Sequence, residues 1–518
     1  MRQDRSSAVV PANATVLLVA LAGLTLLLHL LTSEAYGYFR DELYYIACSN
    51  HLAAGYVDHP PLSIAVLALV RWALGDSLLA IRFVPAVAGA LLVLLTGLIA
   101  RELGGGRFAQ GLAALAVLVA PVYLAMHSFF SMNAFEPLLW GGAAYVLVRL
   151  AKDGNPKLWL LFGVLVGVGL ENKHSMLFFG FSTVVALLLT PQRRWFATGW
   201  PWLAGLVALI IFLPNLVWQA THQWPTLEFL RHAQAYKNYP VSPVEFIGQQ
   251  ILTLQPVTLP IWLAGIVYCL FSPSDRRFRF LGWIYVVALV VLLAEKGKPY
   301  YLAPAYPMMF AAGAVALEHI TERAGWNRVR AAFIGVLVVA GLVTMPMGLP
   351  VLPVDTFIWY SQALGLGAVA KKAPSEKNQA GALPQYFGDR LGWNEVVGAV
   401  ARAFNRLSPQ DRGKAAIFVQ NYGEAAAVDF FGSKYHLPKA LSGHNNYWLW
   451  GPGEYSGEVV VVLGASREEL QALFETVEQV ETVHCGYCMP YENDRPVYIC
   501  RHLKRPLREI WPQLKHYV

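Results

Sequence analysis

The chain has 518 residues, 56% of them hydrophobic and only 14% charged, with a mean hydropathy of +0.43. Soluble domains carry roughly 45–50% apolar and about 25% charged residues, so this composition excludes both a purely soluble enzyme and a disordered chain. A net charge of +7 and an isoelectric point near 9.0 suit a nucleic-acid binder, but basic loops flanking membrane spans produce the same balance.

A run of ~20 apolar residues crosses the hydrocarbon core. Such runs occur at about 14–32, 79–100, 108–126, 134–151, 158–171, 176–190, 198–217, 246–271, 280–294, 301–318 and 331–349, which predicts about eleven transmembrane helices. The shorter apolar stretch Leu62–Leu74 carries Arg71 and reads as an interfacial or re-entrant helix. Several spans end in polar punctuation, among them Arg193-Arg194 and Ser274-Asp275-Arg276-Arg277. One set of alternating loops, including Arg2 and Arg5, holds about fifteen Lys and Arg residues against eight for the other. The positive-inside rule then puts the N-terminus in the cytoplasm and the tail outside, and topology rather than nucleic acid explains the basic balance. The first apolar run is long and lacks a clear small-x-small site, so it reads as an uncleaved span.

Composition changes near residue 353. Strand-like runs at 415–419, 459–463 and 497–500 alternate with helical patterns such as 467–477, predicting an extracytoplasmic α/β domain over 353–518 after a transmembrane domain over 1–352. Pro353 and the polar stretch 371–379 mark the boundary. Cys485 and Cys488, with Cys500, fall in this outer region, where a disulfide is the favoured reading over free thiols or a zinc site with His484. Cys48 and Cys269 read as packing residues.

The loops assigned to the outer face carry acids, histidines and aromatics where the chain leaves the bilayer, and such groups near hydrocarbon mark a functional site by default. Asp41 and Glu42 follow the first span; one is a candidate general base, although first-turn acids also simply begin helices. Asp58 and His59 precede Pro60-Pro61, which fix the chain where it returns to the interface. Asn133 and Glu136 are three residues apart on one helical face. Glu171-Asn172-Lys173-His174 and Lys296-Gly297-Lys298-Pro299-Tyr300-Tyr301 supply cations and phenols suited to a phosphate; snorkelling toward headgroups is the bland reading of Lys296 and Lys298. Loop 219–244, with His222, Trp224, Arg231, His232 and Tyr236, is placed to cover such a cavity. The set fits an enzyme acting on a phosphorylated lipid. A transporter or flippase of lipid-linked sugars is the alternative, but the span centres are almost wholly Ala, Leu, Val and Gly, without matched broken halves.

The segments Tyr38-Phe39-Arg40-Asp41-Glu42-Leu43-Tyr44-Tyr45, Asp58-His59-Pro60-Pro61-Leu62, Met132-Asn133-Ala134-Phe135-Glu136-Pro137 and Gly297-Lys298-Pro299-Tyr300-Tyr301-Leu302 resemble the family 39-type bacterial GT-C glycosyltransferases, relatives of protein O-mannosyltransferases and lipid A aminoarabinose transferases. In the tail, Ser442-Gly443-His444-Asn445-Asn446-Tyr447 and the stretch 511–517 are similar to one bacterial branch. The resemblance implies a helical membrane fold, a catalytic first outer loop and a sugar donor carried on a polyprenyl phosphate. Such a donor needs no glycine-rich nucleotide loop, and the chain has none. By position it implies Asp41 as catalytic base with Glu42 as its partner, Lys173 and His59 near the lipid phosphate, and Lys298, Tyr300 and Tyr301 toward the donor. Asp58 matches an acid that binds a metal in some relatives, so a divalent metal ion is a possible cofactor. Two departures stand out. Asn133 stands where many relatives have an acid, so a second catalytic acid is either lost or replaced by Glu136, and His59 stands where relatives often have a lysine, which makes phosphate contact sensitive to pH. The expected reaction is transfer of the sugar to a lipid, glycan or protein acceptor at the outer face of the inner membrane, with no nucleic-acid partner. The aromatics around Asn445-Asn446-Tyr447-Trp448 serve as an acceptor surface or a structural lid.

Overall fold

The computed structural model describes residues 13–272, 276–365, 377, 379 and 381–518. Arg2, Arg5, Ser274, Asp275 and most of 371–379 lie outside the described residues. A helix occupies each of the eleven predicted apolar runs. Lengths decide how many cross hydrocarbon, because each residue adds 1.5 Å and the core is about 30 Å thick. Leu78–Glu102, Trp200–Thr221, Arg276–Ala294, Pro299–Arg323 and Asn327–Gly348 are long and apolar enough, giving five spans. Two pairs, Met176–Leu188 with Pro191–Ala197 and Pro243–Thr253 with Pro256–Phe271, are bent by 105° and 95°; counting each as one span gives seven.

The other runs are shorter helices. The run at 108–126 is split into Arg107–Val119 and Pro121–Met126, because Pro121 lacks the N–H that would continue the ladder. Thr15–Leu31 and Leu158–Asn172 have 17 and 15 residues. The chain is nonetheless a multi-pass membrane protein: only 22% of the apolar window of Asn327–Gly348 is buried by protein, and Val336, Val339 and Leu342 face outward from it, an arrangement that needs lipid.

Leu62–Leu74 is a single 13-residue helix. Arg71 turns away from lipid and donates to the carbonyl of Ile46 (3.0 Å) and Oδ1 of Asn50 (2.8 Å), while Trp72 on the same helix is 84% exposed. Leu259–Phe271 and Tyr306–Arg323 meet at paired glycines. A Cβ on Gly313 would stand 1.7 Å from the carbonyl oxygen of Ile261, and one on Gly265 would stand 2.0 Å from that of Met309. Small residues at such crossings let dispersion and backbone contacts replace the hydrophobic drive that lipid removes.

The C-terminal part holds a five-stranded mixed sheet of order β2-β1-β3-β5-β4, with β1 Ala416–Phe418, β2 Ala440–Leu441, β3 Val459–Leu463, β4 Phe474–Thr482 and β5 Pro496–Leu503. β3 is buried at every position and pairs parallel with β1 and antiparallel with β5, which is why it reads as an unbroken run of valines rather than an alternation. The helix expected over 467–477 ends at Leu473. Residues from Phe474 onward form β4, pairing antiparallel with β5. Its glutamates lie on a mostly exposed edge, where charge discourages further strand addition; their helical propensity misled the pattern. Cys485 and Cys488 form a disulfide, whereas Cys48, Cys269 and Cys500 are buried thiols.

Gly313→Ala is expected to lower stability in detergent by at least about 1–3 kcal/mol, the usual cost of overpacking. Gly335→Ala, whose Cβ meets nothing within 4 Å, should be neutral or slightly stabilising. Thermal unfolding of the two variants checks this.

Candidate active site

The adjacent acids after the first helix have opposite fates. Arg40–Ser49 forms a helix with Asp41 and Glu42 in its first turn. Glu42 is fully buried. Its Oε1 accepts from Arg82 Nε (2.8 Å) and the backbone N–H of Phe130 (2.8 Å), and its Oε2 accepts from Arg82 Nη2 (2.7 Å) and the N–H of Phe39 (2.8 Å). Arg82 also donates to the carbonyls of Ser33 and Gly37. Four donors saturate the lone pairs of a carboxylate. Glu42, expected as the partner of Asp41, is held by these four donors and fixes the helix that presents Asp41.

Asp41 keeps 32% of its side chain exposed. Its Oδ1 accepts from the Tyr422 hydroxyl at 2.9 Å, and Arg40 Nε lies 3.8 Å away. Arg40 is itself braced from the sheet region: its backbone N–H donates to the Asp389 carbonyl (2.9 Å), its guanidinium donates to the Tyr491 hydroxyl (3.0 Å), and it lies 3.7 Å from Asp389 Oδ2.

Asp58 is close behind. It accepts from the Tyr44 hydroxyl (2.9 Å), and burial pushes its carboxyl above the usual range despite the opposing charges of His59 and Lys237. His59 is fully buried among the rings of Tyr45 (4.6 Å) and Tyr56 (4.8 Å). Its Nδ1 bonds the Pro60 carbonyl (3.1 Å), and Nε2, without a hydrogen-bond partner, sits 3.9 Å from Asp58. Loop 50–59 is tied to the Trp200–Thr221 helix through Asn215, which donates to the Ala54 carbonyl (3.0 Å) and bonds His174 (3.2 Å).

Lys173, Glu136, Asn133, Tyr300 and Tyr301 form a second group. The buried ammonium of Lys173 donates to Glu136 Oε2 (2.7 Å) and Asn133 Oδ1 (2.9 Å) and lies 4.4 Å from the Tyr301 ring centre and 5.9 Å from that of Tyr300. Ser175 donates to the other oxygen of Glu136. Asn133 caps nothing here; it gives Lys173 a neutral acceptor where an acid would have neutralised it a second time. Lys298 is half-buried and starts the Pro299–Ala305 turn that carries both tyrosines. Tyr45 bridges the two groups, bonding the Met132 backbone from within reach of the Asp41 and Asp58 charges.

The roof comes from distant sequence. Tyr422 begins the Tyr422–Phe431 helix because Asn421 caps it, accepting from the N–H groups of Gly423 (2.8 Å) and Glu424 (2.9 Å), while Glu424 Oε2 accepts from Gln420 and Asn421 N–H. Gly423 lets this helix lie against Arg40: a Cβ there would stand 2.5 Å from Arg40 Cγ. Asn446 donates to the Tyr44 hydroxyl and accepts from the Val57 N–H (3.2 Å). Lys237, in the loop expected to cover the cavity, lies 5.9 Å from the Tyr422 ring centre. Tyr422 and Lys237 were not singled out beforehand. Arg82 left a clear signal, a lone cation inside an apolar run; Tyr422 left only its capping sequence, which says nothing of the acid it reaches. Among the described residues no three His, Cys, Asp or Glu side chains gather to hold a metal ion.

Residues 58–218 match the dolichyl-phosphate-mannose-protein mannosyltransferase family. The whole architecture is similar to the crystal structure of ArnT from Cupriavidus metallidurans bound to undecaprenyl phosphate, with a TM-score of 0.62 and 16% identity over 94% of this chain and 98% of that one. The chain has the fold of that ArnT. The apo form of the same ArnT aligns at a TM-score of 0.60, with 16% identity over 93% of this chain and 97% of that one. In sequence, the chain is 29% identical over 245 residues to a polyprenol-phosphate-mannose–protein mannosyltransferase of Corynebacterium glutamicum, covering 40% of this chain and 46% of that protein. It thus spans about half the length of that curated relative.

Removing one partner of a buried ion pair costs about 3–5 kcal/mol. Glu42→Ala or Arg82→Met should therefore abolish a monodisperse folded fraction on size exclusion, whereas Asp41→Asn should elute as wild type. A second prediction concerns Glu492, which accepts from Asn421 (3.0 Å) and is held well above the usual glutamate range by burial and by the neighbouring Glu424 carboxyl. A raised pKa means the folded state binds the extra proton, so this contribution is full below the unfolded glutamate value of about 4.3 and is lost as pH rises through the raised one. Glu492→Gln should flatten that fall in stability, read by thermal unfolding across pH.

Proposed function

We propose that the chain is an integral-membrane GT-C glycosyltransferase that moves a sugar from a polyprenyl-phosphate carrier to an acceptor of the cell envelope. The observation that carries the reading is Asp41: a partly exposed carboxylate, held by one phenol, on a helix locked by a buried ion pair. A general base needs that combination of fixed position and access. The ArnT structure bound to undecaprenyl phosphate shares this fold, which supports a carrier of that chemistry here.

In this reading the acceptor's hydroxyl or amine attacks the anomeric carbon and gives its proton to Asp41. The bond from that carbon to the phosphate oxygen breaks, and polyprenyl phosphate leaves with its electron pair. Cations stabilise the growing charge on the phosphate. Lys173 is the first candidate, with His59, Lys237 and Lys298 as further ones, and Tyr300 and Tyr301 beside Lys173 on the donor side. Phosphate is a good leaving group, so no acid is needed. Glu136 and Asn133 hold the Lys173 ammonium in place, Asp58 orients Tyr44, and Glu42 orients the catalytic helix.

The charge distribution supports about eleven crossings, with the N-terminus in the cytoplasm and residues 353–518 forming an extracytoplasmic domain. The donor would then be used at the outer face of the inner membrane.

The test is transfer from a panel of radiolabelled polyprenyl-phosphate sugars to an envelope extract by protein reconstituted in liposomes. Wild type should transfer one of them. Asp41→Asn should lose at least about 100-fold in rate, the lower end of what a general base contributes, and Lys173→Met should lose activity as well. Equal rates for wild type and Asp41→Asn would remove Asp41 from the chemistry.

A further inference from the structure

The Tyr422 hydroxyl stands where a substrate hydroxyl is expected. A proton donor to a general base lies about 2.6–3.2 Å from it, and the Tyr422 phenol donates to Asp41 Oδ1 at 2.9 Å. That phenol is placed with unusual redundancy. Its ring packs 4.5 Å from the Tyr44 ring and 5.3 Å from the Arg40 guanidinium, and its backbone N–H donates to His444 Nδ1 (3.3 Å). Burial holds His444 well below the usual histidine range, so the ring is neutral and free to accept at Nδ1 while Nε2 donates to the Val518 carbonyl (2.8 Å). Domain docking alone does not need a hydroxyl: Asn446, Arg40 and Gly423 already join the two parts, and a phenylalanine would keep every ring contact.

We propose that Tyr422 is a positioning residue that holds the place of the acceptor hydroxyl on Asp41 Oδ1, keeping water from that one oxygen until an acceptor displaces the phenol. The proposal rests on the transferase reading above. Water is the competing acceptor: its oxygen would bond to the anomeric carbon, its proton would pass to Asp41, and the carbon–phosphate-oxygen bond would break to give free sugar and polyprenyl phosphate. An Oδ1 left free for water beside a loaded donor would waste the donor in this way. Tyr422 is only 5% exposed, whereas Asp41 keeps 32% of its side chain open, so the phenol covers one carboxylate oxygen and leaves the rest of the group reachable by an acceptor.

Two measurements on the full chain in nanodiscs test this. The first compares wild type with Tyr422→Phe for release of free sugar from the polyprenyl-phosphate donor without acceptor, and for transfer with acceptor. The proposal expects free-sugar release without acceptor to rise at least about fivefold over wild type, and the ratio of release to transfer to rise by at least as much. Release that is unchanged, or that falls in step with transfer, overturns it and leaves Tyr422 a docking residue. The second needs no turnover: carbodiimide with an amine nucleophile labels accessible carboxyls, and peptide mass spectrometry reads Asp41. Labelling of Asp41 should increase severalfold in Tyr422→Phe at fixed pH, with Asp355 as internal reference. Equal labelling overturns the proposal. If wild type transfers no sugar while labelling still rises, the covering of Oδ1 by Tyr422 stands and the transferase reading fails.

Discussion

A carboxylate buried where the chain leaves the lipid has to be matched by a cation, and the pairing of Glu42 with Arg82 is the contact on which the site's geometry depends. Arg82 lies near the start of the long Leu78–Glu102 helix, and its guanidinium collects Glu42 together with the carbonyls of Ser33 and Gly37. One planar fork thus sets the exit of the first helix, the start of the Arg40–Ser49 helix and, through Phe130, the loop that leads to Asn133 and Glu136. Guanidinium suits this role because its donors are fixed in a plane and stay protonated. Asp41, one residue earlier, inherits a defined position without itself being consumed by the lock.

The remainder of the site is built from two directions. From the membrane side, Lys173 is presented at the end of Leu158–Asn172 and restrained by Glu136 and Asn133, so one ammonium faces one acid and one amide. From the sheet side, a capping box at Asn421 aims Tyr422 at Asp41, and a glycine next to it allows the helices to meet. The Tyr491–Asp389 bond lies against Arg40, fixing the surface against which the Arg40–Ser49 helix rests. Restraint is concentrated around the base, and openness is left at one carboxylate.

Much of this was legible in the residues. The apolar runs located every long helix, and the charged or aromatic loops singled out Asp41, Asp58, His59, Asn133, Glu136, Lys173, Tyr300 and Tyr301, four of which gather around the Lys173 ammonium. The division of labour between Asp41 and Glu42 was not legible, because neighbouring acids look alike until a distant Arg82 chooses one. The count of crossings was also underdetermined: hydropathy marks apolar length, whereas a bend at Pro191 or the break at Pro121 decides whether that length is straight. β4 was hidden because its glutamates favour helices in isolation and strands only once β5 is there to pair with. Tyr422 lies 381 residues from Asp41, and contact at that separation leaves no local pattern.

The account places the carrier's phosphate beside the base, and a cryo-electron microscopy map of the full chain in nanodiscs with polyprenyl phosphate tests that most directly. The expected result is headgroup density within hydrogen-bond reach of Lys173 or Lys237, on the open side of Asp41, with the polyprenyl tail running into lipid. Headgroup density elsewhere, for instance over the apolar groove lined by Trp159, Phe162 and Phe196, would contradict it.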